Sequence, residues 1–230
     1  MRIGGFQKTS LLDYPDRISA IIWTMGCNFK CPFCYNKQIV SGEAKAIPED
    51  EIFSFLEKRK GLLEGLVITG GEPLMQEDIA EFAENVKKLG YPVKIDTNGS
   101  YPEKLKELLD KKLVDYVAMD VKAPKNKYNQ LTGTKTDISN IEKSIGIIKS
   151  DAPDYEFRTT FVPELLKKED IVEIAKWLDG AKLFYLQQFK NETPMLSYKM
   201  NSVAPYSKEY LNETLNEIKL FFKSCYLRGI

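Results

Sequence analysis

The chain has 230 residues, 43% of them hydrophobic, with 33 basic residues balanced by 33 acidic ones and no His at all. Balanced charge argues against nucleic acid as the main partner, and no stretch is apolar for long enough to span a bilayer. The missing His excludes Ser-His-Asp and Cys-His catalysis, the two-His-one-carboxylate iron site and the His-dependent zinc hydrolases, so demanding chemistry has to come from a cofactor.

The opening, Met1 to Lys8, lacks the apolar region of a signal peptide, which predicts a cytoplasmic protein. Strands are predicted over Ile18–Thr24, Leu66–Thr69, Val93–Thr97, Val114–Val121, Tyr155–Val162 and Leu183–Phe189, where short β-branched runs occur. Amphipathic helices are predicted over Glu49–Lys60, Gln76–Leu89, Glu103–Lys112, Ile138–Lys149 and Lys168–Leu178, with a last one, Lys208–Cys225, closing the chain. Pro48 and Pro102 fall where helices should start and Gly90 where one should stop. Six βα units in succession predict an α/β fold with a parallel sheet covered by helices, in one domain over 1–230. An open doubly wound sheet and a barrel-like curl of fewer than eight units both satisfy this pattern. Both place functional residues at the C-terminal ends of the strands.

After the first predicted strand comes Gly26-Cys27-Asn28-Phe29-Lys30-Cys31-Pro32-Phe33-Cys34-Tyr35-Asn36. Three of the four Cys stand here at C-x3-C-x2-C spacing, which in a reducing compartment points to metal or redox work rather than disulfides. Such a loop can ligate three irons of a 4Fe–4S cube and leave the fourth open to substrate. A zinc site is the other reading of the spacing, but structural zinc needs four ligands, and Cys225 lies far along the chain. The second predicted strand runs into Gly70-Gly71-Glu72-Pro73. Paired glycines let a ligand approach the backbone, while bare carbonyls and Glu72 can accept hydrogen bonds from an amine. On its own this stretch also reads as a plain strand-to-helix turn with Glu at the cap.

Together, in this order and each at a strand end, the two motifs resemble the radical S-adenosylmethionine (SAM) superfamily. Gly4-Gly5-Phe6-Gln7-Lys8-Thr9-Ser10, followed by Asp13-Tyr14-Pro15, resembles the opening of anaerobic ribonucleotide reductase activating proteins. Asp96-Thr97-Asn98-Gly99, Asp120-Val121-Lys122 and Arg158 are similar to stretches shared more broadly with glycyl-radical-enzyme activases, among them the pyruvate formate-lyase activator.

That resemblance implies a partial (β/α)6 barrel, with a 4Fe–4S cluster on Cys27, Cys31 and Cys34 inside its C-terminal mouth. Phe33 would sit against the adenine of SAM, and Gly70, Gly71 and Glu72 would bind its methionine amino group. Asp96, Thr97 and Asp120 fall where a monovalent cation is held beside the SAM carboxylate, with Asn98 in the same stretch. Lys122 and Arg158 would give SAM positive charge and hydrogen bonds. Two of these stretches also have bland readings: Asn98-Gly99 is an ordinary turn signal, and Asp120 and Lys122, two apart on a strand, can form a plain ion pair.

Two positions depart from the pyruvate formate-lyase activator. Tyr35 follows the third Cys where that protein has His, and Phe189 stands where it has a His after the last strand of the six. Contact with adenine at Phe189 would therefore be stacking. Cys225 reads as a core residue, and without another Cys group no second cluster is expected. The resemblance implies an enzyme that takes an electron from flavodoxin or ferredoxin and cleaves SAM to a 5′-deoxyadenosyl radical. That radical would take a hydrogen from a glycine Cα of a partner, the anaerobic ribonucleotide reductase or another glycyl-radical enzyme. A radical SAM enzyme acting on a small molecule, such as a 7-carboxy-7-deazaguanine synthase, and a non-enzymatic cluster or zinc protein are the two rival readings.

Overall fold

The computed structural model describes residues 1–230. Eight strands form one sheet: β1 (Ile3–Ser10), β2 (Ser19–Thr24), β3 (Gly65–Gly70), β4 (Val93–Thr97), β5 (Tyr116–Asp120), β6 (Tyr155–Phe161), β7 (Ala181–Gln188) and β8 (Phe222–Arg228). Their spatial order is their chain order, β1 to β8. β1 pairs antiparallel with β2, and every later neighbour is parallel. Without a reversal of strand order, right-handed crossovers lay all the connecting helices on one side of the sheet. A doubly wound sheet needs such a reversal, so the barrel-like alternative is the one adopted. No pairing joins β8 back to β1, and the barrel stays open along that side.

The helices are α1 (Lys37–Ser41), α2 (Glu49–Lys58), α3 (Ile79–Lys88), α4 (Pro102–Asp110), α5 (Tyr128–Thr132), α6 (Ile138–Asp151), α7 (Lys168–Trp177) and α8 (Lys208–Ile218). Pro48 caps α2 and Pro102 opens α4, where the fixed φ and missing N–H of proline cost a helix nothing. Gly90, at φ +91°, turns the chain after α3. No helix is long and apolar enough to cross a membrane.

Strand alternation sorts the two faces. Ile22, Ile68, Ile95, Val117 and Phe157 join the main core beneath the helices. Ile21, Val67, Tyr116 and Ala118 form a small separate cluster with Tyr14 on the concave face. Beyond that apolar floor, towards the C-terminal ends of the strands, the concave face turns polar: Asp96, Asp120, Glu156 and Arg158 all stand there.

Two features differ from expectation. The last helix does not reach Cys225: α8 stops at Ile218, and after one further turn, Lys219–Phe221, the chain enters β8. Phe222–Arg228 pairs parallel with β7, and its register sets Cys225 opposite Phe184. β1 was not predicted, because glycines and polar side chains dilute its alternation. β2 to β8 run parallel, and the six predicted strands correspond to β2 to β7, with β1 and β8 added at the edges.

Candidate active site

The Cys loop leaves the end of β2 and is held from three directions. Glu72 N–H donates to Gly26 O at 2.9 Å, and Gly71 N–H donates to Thr24 O at 2.9 Å, which lays the turn after β3 directly against it. Lys30 N–H donates to Thr132 O of α5 at 2.7 Å. The segment after β7 closes the third side, with Leu196 and Ser197 N–H donating to Cys34 O at 2.8 Å and Pro32 O at 2.9 Å. The glycines between β2 and β3 follow from this crowding. A Cβ on Gly71 would stand 1.8 Å from Gly26 O, and one on Gly70, at φ +120°, would stand 2.4 Å from Thr24 N.

Cys31 is buried, while Cys27 and Cys34 are partly buried, and none of the three is in a disulfide. Burial pushes the Cys27 thiol up to about 12 and the Cys31 thiol up to about 11. Cys27 Sγ accepts from Phe29 N–H at 3.4 Å and from the Asn98 amide at 3.9 Å. No three Cys, Asp or Glu side chains converge as ligands of one metal ion. In a 4Fe–4S cube each thiolate takes its own iron, and three soft sulfur donors without nitrogen or oxygen partners fit that group. Loading it would release the thiol protons.

Glu72 is fully buried. Oε1 accepts from Leu74 N–H at 3.1 Å and from the Thr97 hydroxyl at 2.8 Å, and Oε2 accepts from Asn98 N–H at 2.7 Å. Desolvation lifts its carboxyl to about 7 despite these donors. Its carboxylate thus ties the turn after β3 to the turn after β4. Asn98 continues outward, donating to Asn28 Oδ1 at 2.8 Å.

Charged side chains line the ends of β4 to β6. Arg158 donates through Nε to Asp120 at 2.8 Å and through Nη1 to Asp96 at 3.2 Å. Lys94 donates to Asp96 at 2.5 Å and Lys122 to Asp120 at 3.0 Å, so the ion pair expected of Asp120 and Lys122 is present. Burial alone would raise both carboxyls, but Arg158 and Lys94 hold Asp96 below its usual range, and Arg158 and Lys122 hold Asp120 well below it. Deeper on the concave face, buried Glu156 accepts from Tyr116 Oη at 3.0 Å and from Arg228 at 3.2 Å. Here Lys94, Lys122, Arg158 and Arg228 are paired with Asp96, Asp120 and Glu156.

Phe33 and Phe189 come together although more than one hundred and fifty residues separate them. Phe189 is buried with Val162, Met195, Met200 and Val203, and Phe33 packs against the same cluster. Tyr35 is exposed. Cys225 stands apart from the other cysteines: it packs against the helix-facing core, and burial raises its thiol to about 12.

Sequence reasoning missed Asn28, Lys94, Glu156, Arg228 and the Met195–Ser197 segment. A signal existed for two of them, since Lys94 precedes Asp96, and Glu156 precedes Arg158, by two residues on the same strand. The segment after β7 carries no motif.

Comparison with known proteins places this geometry. Residues 21–178 match the radical SAM superfamily. A Methanocaldococcus jannaschii protein bearing the provisional name glycyl-radical enzyme activating enzyme is 39% identical over 193 residues, 82% of this chain and 80% of its own. A 7-carboxy-7-deazaguanine synthase of Koribacter versatilis is 35% identical over 144 residues, 59% of this chain and 58% of its own. The crystal structure of Streptococcus suis SuiB bound to S-adenosylmethionine superposes with a TM-score of 0.68 at 17% identity over 91% of this chain. This chain spans 50% of SuiB, and the likeness is one of fold.

Proposed function

Because the chain belongs to the radical SAM superfamily and is an enzyme of it, we propose that it generates a 5′-deoxyadenosyl radical and uses it to activate a glycyl-radical enzyme, the anaerobic ribonucleotide reductase. The observation that carries the first half is the Cys loop wedged against Gly70-Gly71-Glu72 at the open end of the barrel. Cys27, Cys31 and Cys34 would hold the 4Fe–4S cluster that family membership implies, and that cluster supplies the electron for reductive cleavage of SAM. The bare carbonyls of Gly70 and Gly71 would accept from the SAM ammonium, with Glu72 fixing their turn from behind. Arg158 and Lys122 would orient the SAM carboxylate. The cluster of Phe33, Phe189, Met195 and Met200 would take the adenine and exclude water. A flavodoxin or ferredoxin would deliver the electron. Hydrogen-atom abstraction needs no general acid or base, in keeping with a chain that has no His.

The second half rests on the relative from Methanocaldococcus jannaschii, which matches along most of both chains, whereas the deazaguanine synthase match covers little more than half of either. An open barrel side between β1 and β8 also leaves room for a protein loop. The test mixes cluster-loaded reduced protein, SAM and the anaerobic ribonucleotide reductase of the same organism, with electron paramagnetic resonance as the readout. The expected result is a doublet that collapses when glycine is deuterated at Cα. SAM cleavage with no such signal, for any glycyl-radical enzyme of that organism, would hand the chain to a small-molecule substrate.

A further inference from the structure

Asp96, Thr97 and Asp120 are the residues that the family resemblance assigns to a monovalent cation, and their surroundings do not fit one. All four carboxylate oxygens already face protein cations. Lys94 Nζ lies 2.5 Å from Asp96 Oδ1 and Arg158 Nη1 lies 3.2 Å from Asp96 Oδ2. Arg158 Nε lies 2.8 Å from Asp120 Oδ1 and Lys122 Nζ lies 3.0 Å from Asp120 Oδ2. Thr97, one residue on from Asp96, turns to the other side of its strand. Its hydroxyl donates to Glu72 and accepts from Gly99 N–H at 3.1 Å. A sodium or potassium ion placed here would meet three like charges against two carboxylates.

Lys94 is a buried cation that the SAM reading leaves without a role. Its side chain is 1% exposed, and its ammonium has Asp96 as its only salt-bridge partner and the Tyr116 ring 5.8 Å away. A buried ammonium is costly unless it is paired, so Asp96 holds Lys94 as firmly as Lys94 holds Asp96. Asp96 in turn holds Nη1 of Arg158, whose Nε is held by Asp120.

We propose that Lys94 is a built-in counter-cation: its ammonium does for Asp96 what a bound sodium or potassium ion would do, and SAM binding needs neither ion. Lys94 is a positioning residue in this arrangement. It keeps Asp96 charged and fixed, Asp96 sets the guanidinium of Arg158, and Arg158 meets the SAM carboxylate. The proposal rests on the reading of the site as one for SAM.

Isothermal titration of SAM into cluster-loaded protein separates the two. Titrations in choline chloride, sodium chloride and potassium chloride at one ionic strength screen charges equally. The wild type is expected to bind SAM within threefold in all three salts. Binding stronger by more than threefold in sodium or potassium than in choline would overturn the proposal, and wild type that binds no SAM in any salt would remove the SAM reading beneath it. Lys94→Met is expected to lose at least tenfold in affinity in choline and to regain part of it in potassium, because the vacated position then admits an ion. Wild-type affinity of Lys94→Met in choline would also overturn the proposal. If that variant does not fold, the three-salt comparison on the wild type decides alone.

Discussion

At the β2–β3 end of the barrel mouth the surface of the site is main chain, whereas at the β4–β6 end it is charged side chain. Around Gly26, Gly70 and Gly71 the two strand ends approach so closely that a single methyl group meets a backbone oxygen. Around Asp96, Asp120 and Arg158 side chains from three strands meet through ion pairs. Shape is fixed at the first end by the absence of side chains and at the second by mutual charge. A backbone contact cannot yield by rotating a χ angle, but a guanidinium can be replaced and its partners can re-pair. The two ends should therefore fail differently when altered.

Gly71→Ala should have the largest effect. The added Cβ meets Gly26 O, a backbone atom with no rotamer to escape into, at a cost of about 3 kcal/mol or more. The expected outcome is lost iron binding together with a lowered denaturation midpoint, read by iron content and urea unfolding. Unchanged iron content would show that the two turns can separate.

Arg158→Ala should sharpen the contrast, because it spares the Cys loop. SAM affinity should fall by roughly ten- to a hundredfold, the order expected for one charge-assisted contact, while the cluster absorption stays as in the wild type. The variant should also lose less stability in acid than the wild type does. In the wild type Asp96 and Asp120 titrate below their ordinary values, so their contribution is present above the unfolded carboxyl range and is lost only as pH falls through the lowered folded values. Without Arg158, burial raises both carboxyls, so the folded variant takes up protons more readily than the folded wild type, and urea unfolding should show the stability gap between the two narrowing as pH falls. An acid profile identical to that of the wild type would mean that Lys94 and Lys122 suffice.

Glu72→Gln probes the seam between the two ends, and its effect should depend on pH. The Glu72 carboxyl is raised from 4.5 to about 7, so the folded state favours the protonated form. Its contribution to stability is full below the unfolded value and declines as pH rises towards 7, by up to roughly 3 kcal/mol. Gln does not titrate. The stability gap between wild type and variant should therefore shift in the variant's favour from pH 4.5 to 7 and stay level above that. A gap constant across this interval would place the carboxyl in a more polar setting than its burial implies.

β2 to β7 were legible as short runs rich in β-branched or aromatic residues, and β3 to β7 start at or just after Gly, Pro or Asp. The edges were not. β1 carries Gly4 and Gly5, and these fit only because Met25, Ile39 and Trp23 crowd against them, a fact of tertiary packing rather than of strand propensity. In the final segment, Leu220, Phe221 and Phe222 carry a helical apolar pattern on past Ile218, and pairing with β7 overrides it.

Much the same division runs through the site. Local chemistry determined the Cys loop, the Gly-Gly-Glu-Pro turn and their places at strand ends, because metal ligation and close backbone approach require particular residue types at short spacings. The period of two along a strand brought Asp120 and Lys122 to one side. Tertiary structure alone decided which charges meet. Strand order set Arg158 between two carboxylates from different strands and drew Glu72 into the turn after β4. It also brought the segment after β7 over the Cys loop, joining Phe33 to Phe189. Long-range pairings of this kind depend on how crossovers stack the strands, and no local pattern of residues records that.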